Sequence, residues 1–313
     1  MPIFPSAFGS IPNSLQYFTP FAQYAVSIAL ILFGVNFTLY YLILIGKIKD
    51  VLRSEELRTY FSIVFCSVAF IFITLLIKNP ISTIWSYDSG ATAGVSYTAE
   101  EAFRHSLFQV SSLITTAGFS TTDYNIWPRA SKMVLLGCMF IGAMAGSTAG
   151  GIKTSRIVIA AKGIYVKIRK LINPRYVPKT KIEGKLLEEK TTADVFTFIT
   201  LYAFTLVIVL FILCLDSANG DIIKITSDIT NSMPSEAASA NEYLVKHGFF
   251  TNLSAVVSCL SNIGPGFEAI GPYASFADYS AVSKMVLTLT MILGRLEFLP
   301  LMILFSPRTW KKI

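Results

Sequence analysis

Charged residues are scarce in this chain. Asp, Glu, Lys and Arg make up 14% of the 313 residues, whereas 53% are hydrophobic. A soluble globular domain carries roughly a quarter charged residues, so a chain this poor in charge is expected to have lipid as part of its solvent. The net charge of +7 does not indicate a nucleic-acid-binding protein, because the basic residues crowd into loops between apolar stretches.

Residue types suited to catalysis or to transition-metal binding are also few. The two histidines, His105 and His247, lie far apart and have no cysteine or carboxylate cluster beside them, which argues against a metal site. No nucleophile–base arrangement and no phosphate-binding loop is recognisable, so we expect neither an enzyme nor a cofactor held by this chain. Each cysteine sits in an apolar segment and is expected to be a small buried side chain rather than half of a disulfide. These are Cys66, Cys138, Cys214 and Cys259.

Apolar stretches long enough to cross a bilayer, which takes ~20 residues, are plentiful by contrast. The predicted spans are Ala25–Gly46, Tyr60–Ile77, Thr192–Leu215 and Met285–Phe305. A fifth apolar stretch begins at Met133 and gives way after Ala145 to "GSTAGGIKTSR", a pattern that indicates a broken span.

Two shorter apolar stretches, Ala102–Thr115 and Phe249–Leu260, suit re-entrant or buried helices better than crossings. Each runs into a small-residue segment, "TTAGFSTTD" or "SNIGPGFEAIG", and then into a span. The order span, short helix, glycine-containing loop, span therefore occurs twice.

The repeat is also visible in the letters. "SKMVLLGCMFIGAM" begins at Ser131, and "SKMVLTLTMILGRL" begins 152 positions later at Ser283. "ALILFGVN", Ala29–Asn36, fits the same frame, so "SAFGS" stands where the other copies carry their loops. Internal repeats are common in transport proteins. We predict an all-α polytopic membrane protein of repeated span–pore helix–span units, with residues 1–58, 59–190 and 191–313 as its divisions.

The distribution of Lys and Arg predicts the orientation. Lys47–Arg58, Lys153–Lys190 and Arg308–Lys312 hold 18 of the 26 basic residues, and each region follows the second span of a unit. Cytoplasmic loops carry the excess of Lys and Arg, so these regions and the C-terminus are expected inside. Both glycine-containing loops then approach from outside, and residues 173–190 form a solvated cytoplasmic linker.

A backbone that leaves helical form within the membrane needs protein or water around its polar groups. Successive carbonyl oxygens can replace the hydration shell of a cation, and glycine permits the backbone angles that such a row requires. The C-terminal end of a short helix also favours a cation. Gly118 and Gly264 are the glycines best placed for this role, although ordinary connecting loops remain the alternative.

Several strings resemble the TrkH/KtrB superfamily of potassium transporters, also called the Trk/Ktr/HKT family. "FRHSLFQVSSLITTAGFSTTDYNIWP" and "FIGAMAGSTAGGIKTSR" are similar to its third repeat. "LSNIGPGFEAIGP" and "MILGRLEFLPLMILFSPRTW" are similar to the fourth, and "LFGVNFTLYYLILIGKIKDVLRSEELR" to the end of the second. The similarity covers nearly the whole chain.

The resemblance implies four potassium-channel-like repeats around one K⁺ path in the bacterial inner membrane. It implies a homodimer and a cytoplasmic nucleotide-binding partner of the TrkA or KtrA type, which would hold the nucleotide. Relative to the family the chain is N-terminally truncated, and Ala7 stands before Phe8 where the family places a filter glycine. The predicted filter residues are Thr115, Thr116, Ala117, Gly118, Phe119, Ser261, Asn262, Ile263, Gly264, Pro265, Ala7 and Phe8.

A gate is predicted in Gly142–Lys153, where glycines destabilise a helix. The alternative is helix packing through Gly142 and Gly146. The predicted gate residues are Gly146, Gly150, Gly151, Lys153 and Arg295.

Two of the gate residues are charged, and each has a second interpretation. Lys153 would repel or regulate cations, or simply reach the membrane surface. Arg295 lies within a span, where charge indicates function by default. The resemblance puts it in the pore beside the gate, and a structural salt bridge is the alternative.

Two other functions stay open at this stage. One is a secondary carrier with discontinuous helices, and the other is a non-conducting assembly or regulatory subunit of the membrane. The residues leave open the K⁺/Na⁺ preference and any coupling to H⁺ or Na⁺.

Overall fold

The computed structural model describes residues 15–77, 97–173, 181–182, 185–186, 189–218, 237–272 and 276–296. Helices form most of this part of the chain, as the sequence predicts. In chain order they are α1 (Pro20–Phe33), α2 (Phe37–Leu44), α3 (Ile48–Arg53), α4 (Glu55–Leu76), α5 (Ala99–Ile114), α6 (Arg129–Phe140), α7 (Thr154–Ile172), α8 (Glu189–Ala218), α9 (Ala237–Ser261) and α10 (Ala281–Leu296).

Two pairs of very short strands accompany the helices. β1 (Ile141–Gly142) pairs in parallel with β2 (Ile152–Lys153) and closes the neck of the loop formed by residues 143–151. β3 (Lys181–Ile182) and β4 (Lys185–Leu186) form an antiparallel pair within the predicted cytoplasmic linker.

Among the described residues, two helices are long and apolar enough to cross a bilayer, namely α4 and the Lys190–Asp216 part of α8, and the bent pair of α1 and α2 makes a third if it is counted as one span. Both expose aromatic side chains along their length, with Phe65 of α4 74% exposed and Phe211 of α8 64% exposed. Such side chains suit a lipid-facing surface. Sixteen residues of α10 are described, and the rest of the predicted span Met285–Phe305 lies outside the described residues.

The prediction of one continuous span over Ala25–Gly46 is wrong, because α1 and α2 meet at an angle of 91°. Asn36 begins α2, and its Oδ1 accepts a hydrogen bond from the amide two residues later at 2.8 Å. The Gly34 carbonyl accepts a hydrogen bond from the Met144 N–H at 3.1 Å, and a Cβ at Gly34 would collide with the Tyr60 hydroxyl. The Tyr60 hydroxyl donates a hydrogen bond to the Ile31 carbonyl at 3.1 Å, so carbonyl groups at the end of α1 that the break would otherwise leave unpaired are satisfied.

Two units with the same order of helices pack together, and we call them unit A (α4, α5 and α6) and unit B (α8, α9 and α10). In unit A, α5 lies against α4 and α6, and in unit B, α9 lies against α8 and α10. The units are joined by contacts between α6 and α9, and α1 packs along α5. The largest buried cluster runs through unit A and reaches Ile263 and Phe267, which follow α9.

The start of α5 is a capping box, which gives this short helix a defined beginning. The Thr98 hydroxyl accepts a hydrogen bond from the Glu101 N–H at 3.3 Å, and the Glu101 carboxylate accepts one from the Thr98 N–H at 2.9 Å. The hydrogen bond from the Thr98 N–H holds the pKa of the Glu101 carboxyl below its ordinary value. Two first-turn donors are thereby satisfied, and the acidic first turn suits the positive end of the helix.

Candidate functional site

The predicted short helix Ala102–Thr115 corresponds to α5, whereas Phe249–Leu260 forms the last part of the longer α9, a helix of 25 residues. Both helices end in the same backbone motif. At the end of α5, the Thr116 N–H donates to the Leu113 carbonyl at 3.2 Å, and the Ala117 N–H donates to the Ser112 carbonyl at 2.9 Å. This is a Schellman motif, which places a left-handed residue just past the helix, usually glycine. Thr116 occupies that position with a φ of 55°.

The end of α9 repeats this geometry. The Asn262 N–H donates to the Cys259 carbonyl at 3.2 Å, and the Ile263 N–H donates to the Ser258 carbonyl at 2.9 Å. Asn262 has a φ of 57°, and Gly264 has a φ of 115°.

We call residues 115–119 loop A and residues 261–265 loop B. Thr116 corresponds to Asn262, and Gly118, with a φ of 75°, corresponds to Gly264. Both pairs lie 146 positions apart in the sequence. The internal repeat therefore extends to the backbone angles of the two loops. Non-glycine residues with positive φ are uncommon and indicate a conformation that the surroundings enforce.

A buried serine supports each loop from within its helix. The Ser112 hydroxyl donates to the Phe119 carbonyl at 2.6 Å, and the Ser258 hydroxyl donates to the Gly264 carbonyl at 2.8 Å. Sequence reasoning missed both serines, although they too lie 146 positions apart, and that shared spacing was the available signal.

Loops A and B meet. A Cβ on Gly118 would collide with the Ile263 carbonyl oxygen and would lie 3.2 Å from Cδ of Pro265. In the described part of the chain, no hydrogen-bond donor reaches the carbonyl oxygens of residues 115–118 or 261–263. Main-chain oxygens that accept no hydrogen bond from the described residues therefore lie on both sides of the place where the loops meet.

The glycine-rich loop, Gly142–Lys153, lies against both of these loops. The Gly150 N–H donates to the Thr116 hydroxyl of loop A at 2.9 Å. On the other side, a Cβ on Gly150 would collide with the Ser261 carbonyl of loop B. α6 has already ended at Phe140, so the alternative of helix packing through Gly142 and Gly146 does not apply.

The glycine-rich loop is also tied to α4 and to the break between α1 and α2. The Ala145 N–H donates to the Glu56 carboxylate at 2.7 Å. Gly146 has a φ of 72°, and its carbonyl accepts a hydrogen bond from the Phe37 N–H at 3.4 Å. Gly151 has a φ of 69° and packs on Gly142. Glu56 is a contact that the sequence pattern did not reveal.

The two charged residues of the predicted gate lie at different places. Lys153 is half-buried in β2, where it is the residue that precedes α7. Arg295 is exposed on α10, and its guanidinium donates a hydrogen bond at 3.3 Å to the Thr148 carbonyl in the glycine-rich loop. The structure therefore brings Arg295 to the glycine-rich loop.

Ala7 and Phe8 also lie outside the described residues. The first described residue, Leu15, donates its N–H to the Ser120 carbonyl at 3.2 Å, directly after loop A.

The fold and the paired loops define a helical membrane protein built from repeated span–pore helix–span units, the class to which channel-like cation transporters belong. A family model described as "cation transport protein", TrkH, matches residues 7–230 and 241–312. The chain belongs to this family, which confirms the resemblance seen in the sequence. The family is one of transport proteins and not of enzymes.

Individual relatives agree with this assignment. The chain is 30% identical over 306 residues to the Trk system potassium uptake protein TrkG of Escherichia coli (strain K12), covering 97% of this chain and 53% of the relative. It is 29% identical over 307 residues to the Trk system potassium uptake protein TrkH of Salmonella typhimurium (strain LT2), covering 97% and 54%. The chain therefore spans about half the length of the curated relatives it matches.

A solved structure supports the fold. The crystal structure of the potassium transporter TrkH from Vibrio parahaemolyticus matches with a TM-score of 0.73 and 27% sequence identity. The match covers 98% of this chain and 57% of the other.

Proposed function

We propose that this chain supplies part of a pathway for K⁺ across the membrane, with loops A and B as two sides of its selectivity filter. The relatives named above are potassium uptake proteins of the Trk system. The observation that carries the proposal is the pair of matched loops whose carbonyl oxygens, at residues 115–118 and 261–263, accept no hydrogen bond from the described residues.

The chemistry follows from those carbonyl groups. An ion entering a narrow pore loses bound water, and a ring of carbonyl oxygens compensates for that loss. The C-terminal ends of α5 and α9 lead directly into the two loops, so the negative ends of both helix dipoles favour a cation there. The buried hydroxyls of Ser112 and Ser258 hold the loop backbones in place, which keeps the oxygens at a fixed spacing.

The glycine-rich loop is the proposed gate. It lies against loop A through the bond between Gly150 and Thr116 and is held from α10 by Arg295. Opening the pore would break these hydrogen bonds, each worth about 0.5–1.5 kcal/mol net. A free-energy difference of this size is small enough for a conformational change in a bound partner protein to supply it. The positive charge of Arg295 adds an electrostatic obstacle to a cation while the loop is in place.

The remaining parts of the system are proposed from the family. The chain holds no cofactor of its own, and a cytoplasmic nucleotide-binding subunit of the TrkA or KtrA type controls the gate. The protein forms a homodimer in the bacterial inner membrane, with its filter loops outside and the basic regions, including the short helix α3, inside.

The test is potassium uptake by a bacterial strain that lacks its own uptake systems and expresses the full reading frame containing this chain. Gly118→Asp should abolish uptake, because the new side chain would collide with loop B and place a carboxylate beside its carbonyl oxygens. Gly46→Asp is the matched control, since Gly46 also has positive φ but has no atom within 4 Å of its Cβ position. Absence of uptake with the unaltered sequence would instead support a non-conducting subunit, and normal uptake with Gly118→Asp would refute the filter.

A further inference from the structure

A set of contacts behind the filter loops joins unit A to unit B. Tyr124 follows loop A and is completely buried, and its hydroxyl donates a hydrogen bond to the Gly266 carbonyl at 2.8 Å. Its ring packs edge-on against Phe267, which is also completely buried, with centroids 5.2 Å apart. Gly266 lies only two residues beyond Gly264, so this bond fixes the far end of loop B.

Asn125 forms a reciprocal pair of hydrogen bonds with a strained residue of unit B. Its Oδ1 accepts from the Glu268 N–H at 2.8 Å, and its Nδ2 donates to the Glu268 carbonyl at 3.2 Å. Glu268 has a φ of 57°. A Cβ on Gly271 would collide with the Asn125 amide, so that position needs glycine for the pairing to form. The Asn125 amide thus satisfies both polar backbone groups of a residue held in the left-handed region.

A third contact is ionic. Lys132, in the first turn of α6, places its Nζ 3.0 Å from Oε1 of Glu268, and the two side chains are 15% and 8% exposed. A pair this well buried is screened weakly by salt. Loss of one partner leaves the other charge in a poorly solvated place, which is strongly unfavourable.

The corresponding positions in unit B do not repeat these contacts. The residue 152 positions after Asn125 is Ala277, which has no side-chain amide. Lys284, the counterpart of Lys132, donates to the Ala277 carbonyl at 2.6 Å within its own unit. The contacts of Asn125 and Lys132 therefore serve the boundary between unit A and unit B, and they are not a general feature of the repeat.

We propose that Tyr124, Asn125 and Lys132 form a positioning clamp for loop B, so that preference for K⁺ over Na⁺ depends on residues that never contact the ion. The inference rests on the proposed function. The clamp fixes residues 266–268 relative to unit A, and the hydroxyl of Ser254 accepts the Phe267 N–H at 2.9 Å to tie the same segment to α9. Selectivity depends on how rigidly the filter oxygens keep their spacing. The clamp residues of unit A restrain the segment that follows loop B and so limit the movement of its oxygens.

The experiment measures the K⁺/Na⁺ permeability ratio of the full reading frame reconstituted in liposomes. Asn125→Ala should lower the K⁺/Na⁺ permeability ratio by about tenfold while K⁺ conduction persists. The reason is that a small displacement of the oxygens of loop B weakens a site whose function depends on exact placement. Gly271→Ala should give the same loss, since its Cβ displaces the Asn125 amide. Lys284→Met is the matched control and should leave the ratio unchanged.

The outcomes separate this inference from the proposed function. If the unaltered protein shows no K⁺ preference, the proposed function fails. If it prefers K⁺ and both Asn125→Ala and Gly271→Ala keep that preference, the clamp is overturned. Should neither variant reach the membrane, Lys132→Glu is measured instead and should lower the K⁺/Na⁺ permeability ratio. The double variant Lys132→Glu with Glu268→Lys exchanges the two charges and should restore the ratio. A swap that restores nothing counts against the ionic part of the clamp.

Discussion

The contact of Gly150 with loops A and B gives a prediction whose size can be worked out. Gly150→Ala introduces a Cβ that would collide with the Ser261 carbonyl of loop B. The φ of Gly150 is not in the left-handed region, so alanine adds no backbone strain and the perturbation is purely steric. Restoring an ordinary contact distance requires the glycine-rich loop to move by roughly 1 Å.

That movement strains the hydrogen bond from the Gly150 N–H to the Thr116 hydroxyl, now 2.9 Å long. Loss of such a bond is worth about 0.5–1.5 kcal/mol, and about 1.4 kcal/mol corresponds to a tenfold change in an equilibrium. If the glycine-rich loop is the gate, Gly150→Ala should raise the open population by roughly two- to tenfold. Thr116→Val, which removes only the acceptor, should give an increase of similar size.

The assay is the rate of K⁺ flux from liposomes containing the full reading frame, measured without any partner protein. Gly137→Ala is the control, because Gly137 lies in α6 and nothing stands within 4 Å of its Cβ position. A flux that stays at the unaltered level in both Gly150→Ala and Thr116→Val, with the proteins correctly folded, would refute the reasoning that this loop closes the pore.

Three further predictions use other contacts of the site. Arg295→Ala should increase the K⁺ leak and change the current–voltage relation. Arg295→Lys keeps the positive charge and should keep most of the restriction on K⁺ flux. An unchanged current–voltage relation in Arg295→Ala would show that Arg295 does not act on the ion path. Ser258→Ala removes the hydroxyl that bonds both the N–H and the carbonyl of the half-buried Gly264. The thermal midpoint and the K⁺/Na⁺ ratio should both fall, at a cost of about 0.5–1.5 kcal/mol for each bond. A stability loss with an intact ratio would contradict the proposed role of Ser258 in the filter. Glu56→Gln weakens a charge-assisted bond to the glycine-rich loop, and flux should rise modestly; flux equal to that of the unaltered protein argues against this anchor.

The repeat and the class of fold were readable from the chain itself. The shared string at Ser131 and Ser283, and the two short apolar helices before glycine-containing loops, depend on hydrophobic length and on residue type alone. Bilayer thickness acts on each segment separately, so no knowledge of its neighbours was needed. A break in the stretch that begins at Met133 was predicted for the same reason, since glycines weaken a helix wherever it lies, but α6 ends at Phe140 rather than after Ala145.

The prediction of a straight span over Ala25–Gly46 was the main error, and the contacts that hold the bend come from outside that segment. The segment carries no charge, but Gly34 weakens a helix at its middle and Asn36 is a favourable helix start. The break at Gly34 is stabilised by the Met144 N–H, which donates to the Gly34 carbonyl, and by the Tyr60 hydroxyl, which donates to the Ile31 carbonyl. Both partners come from other parts of the chain, so Gly34 and Asn36 permit a break that tertiary contacts then stabilise.

By itself the sequence determined which segments are apolar helices and where small residues interrupt them, because the exclusion of charge and the effect of glycine on a helix act residue by residue. The tertiary structure decided which backbone groups face one another: Gly118 against Ile263, Gly150 against Ser261, and Asn125 against Glu268. Those pairings join residues as many as 145 positions apart, and their energies depend on distances of tenths of an ångström that no local pattern encodes.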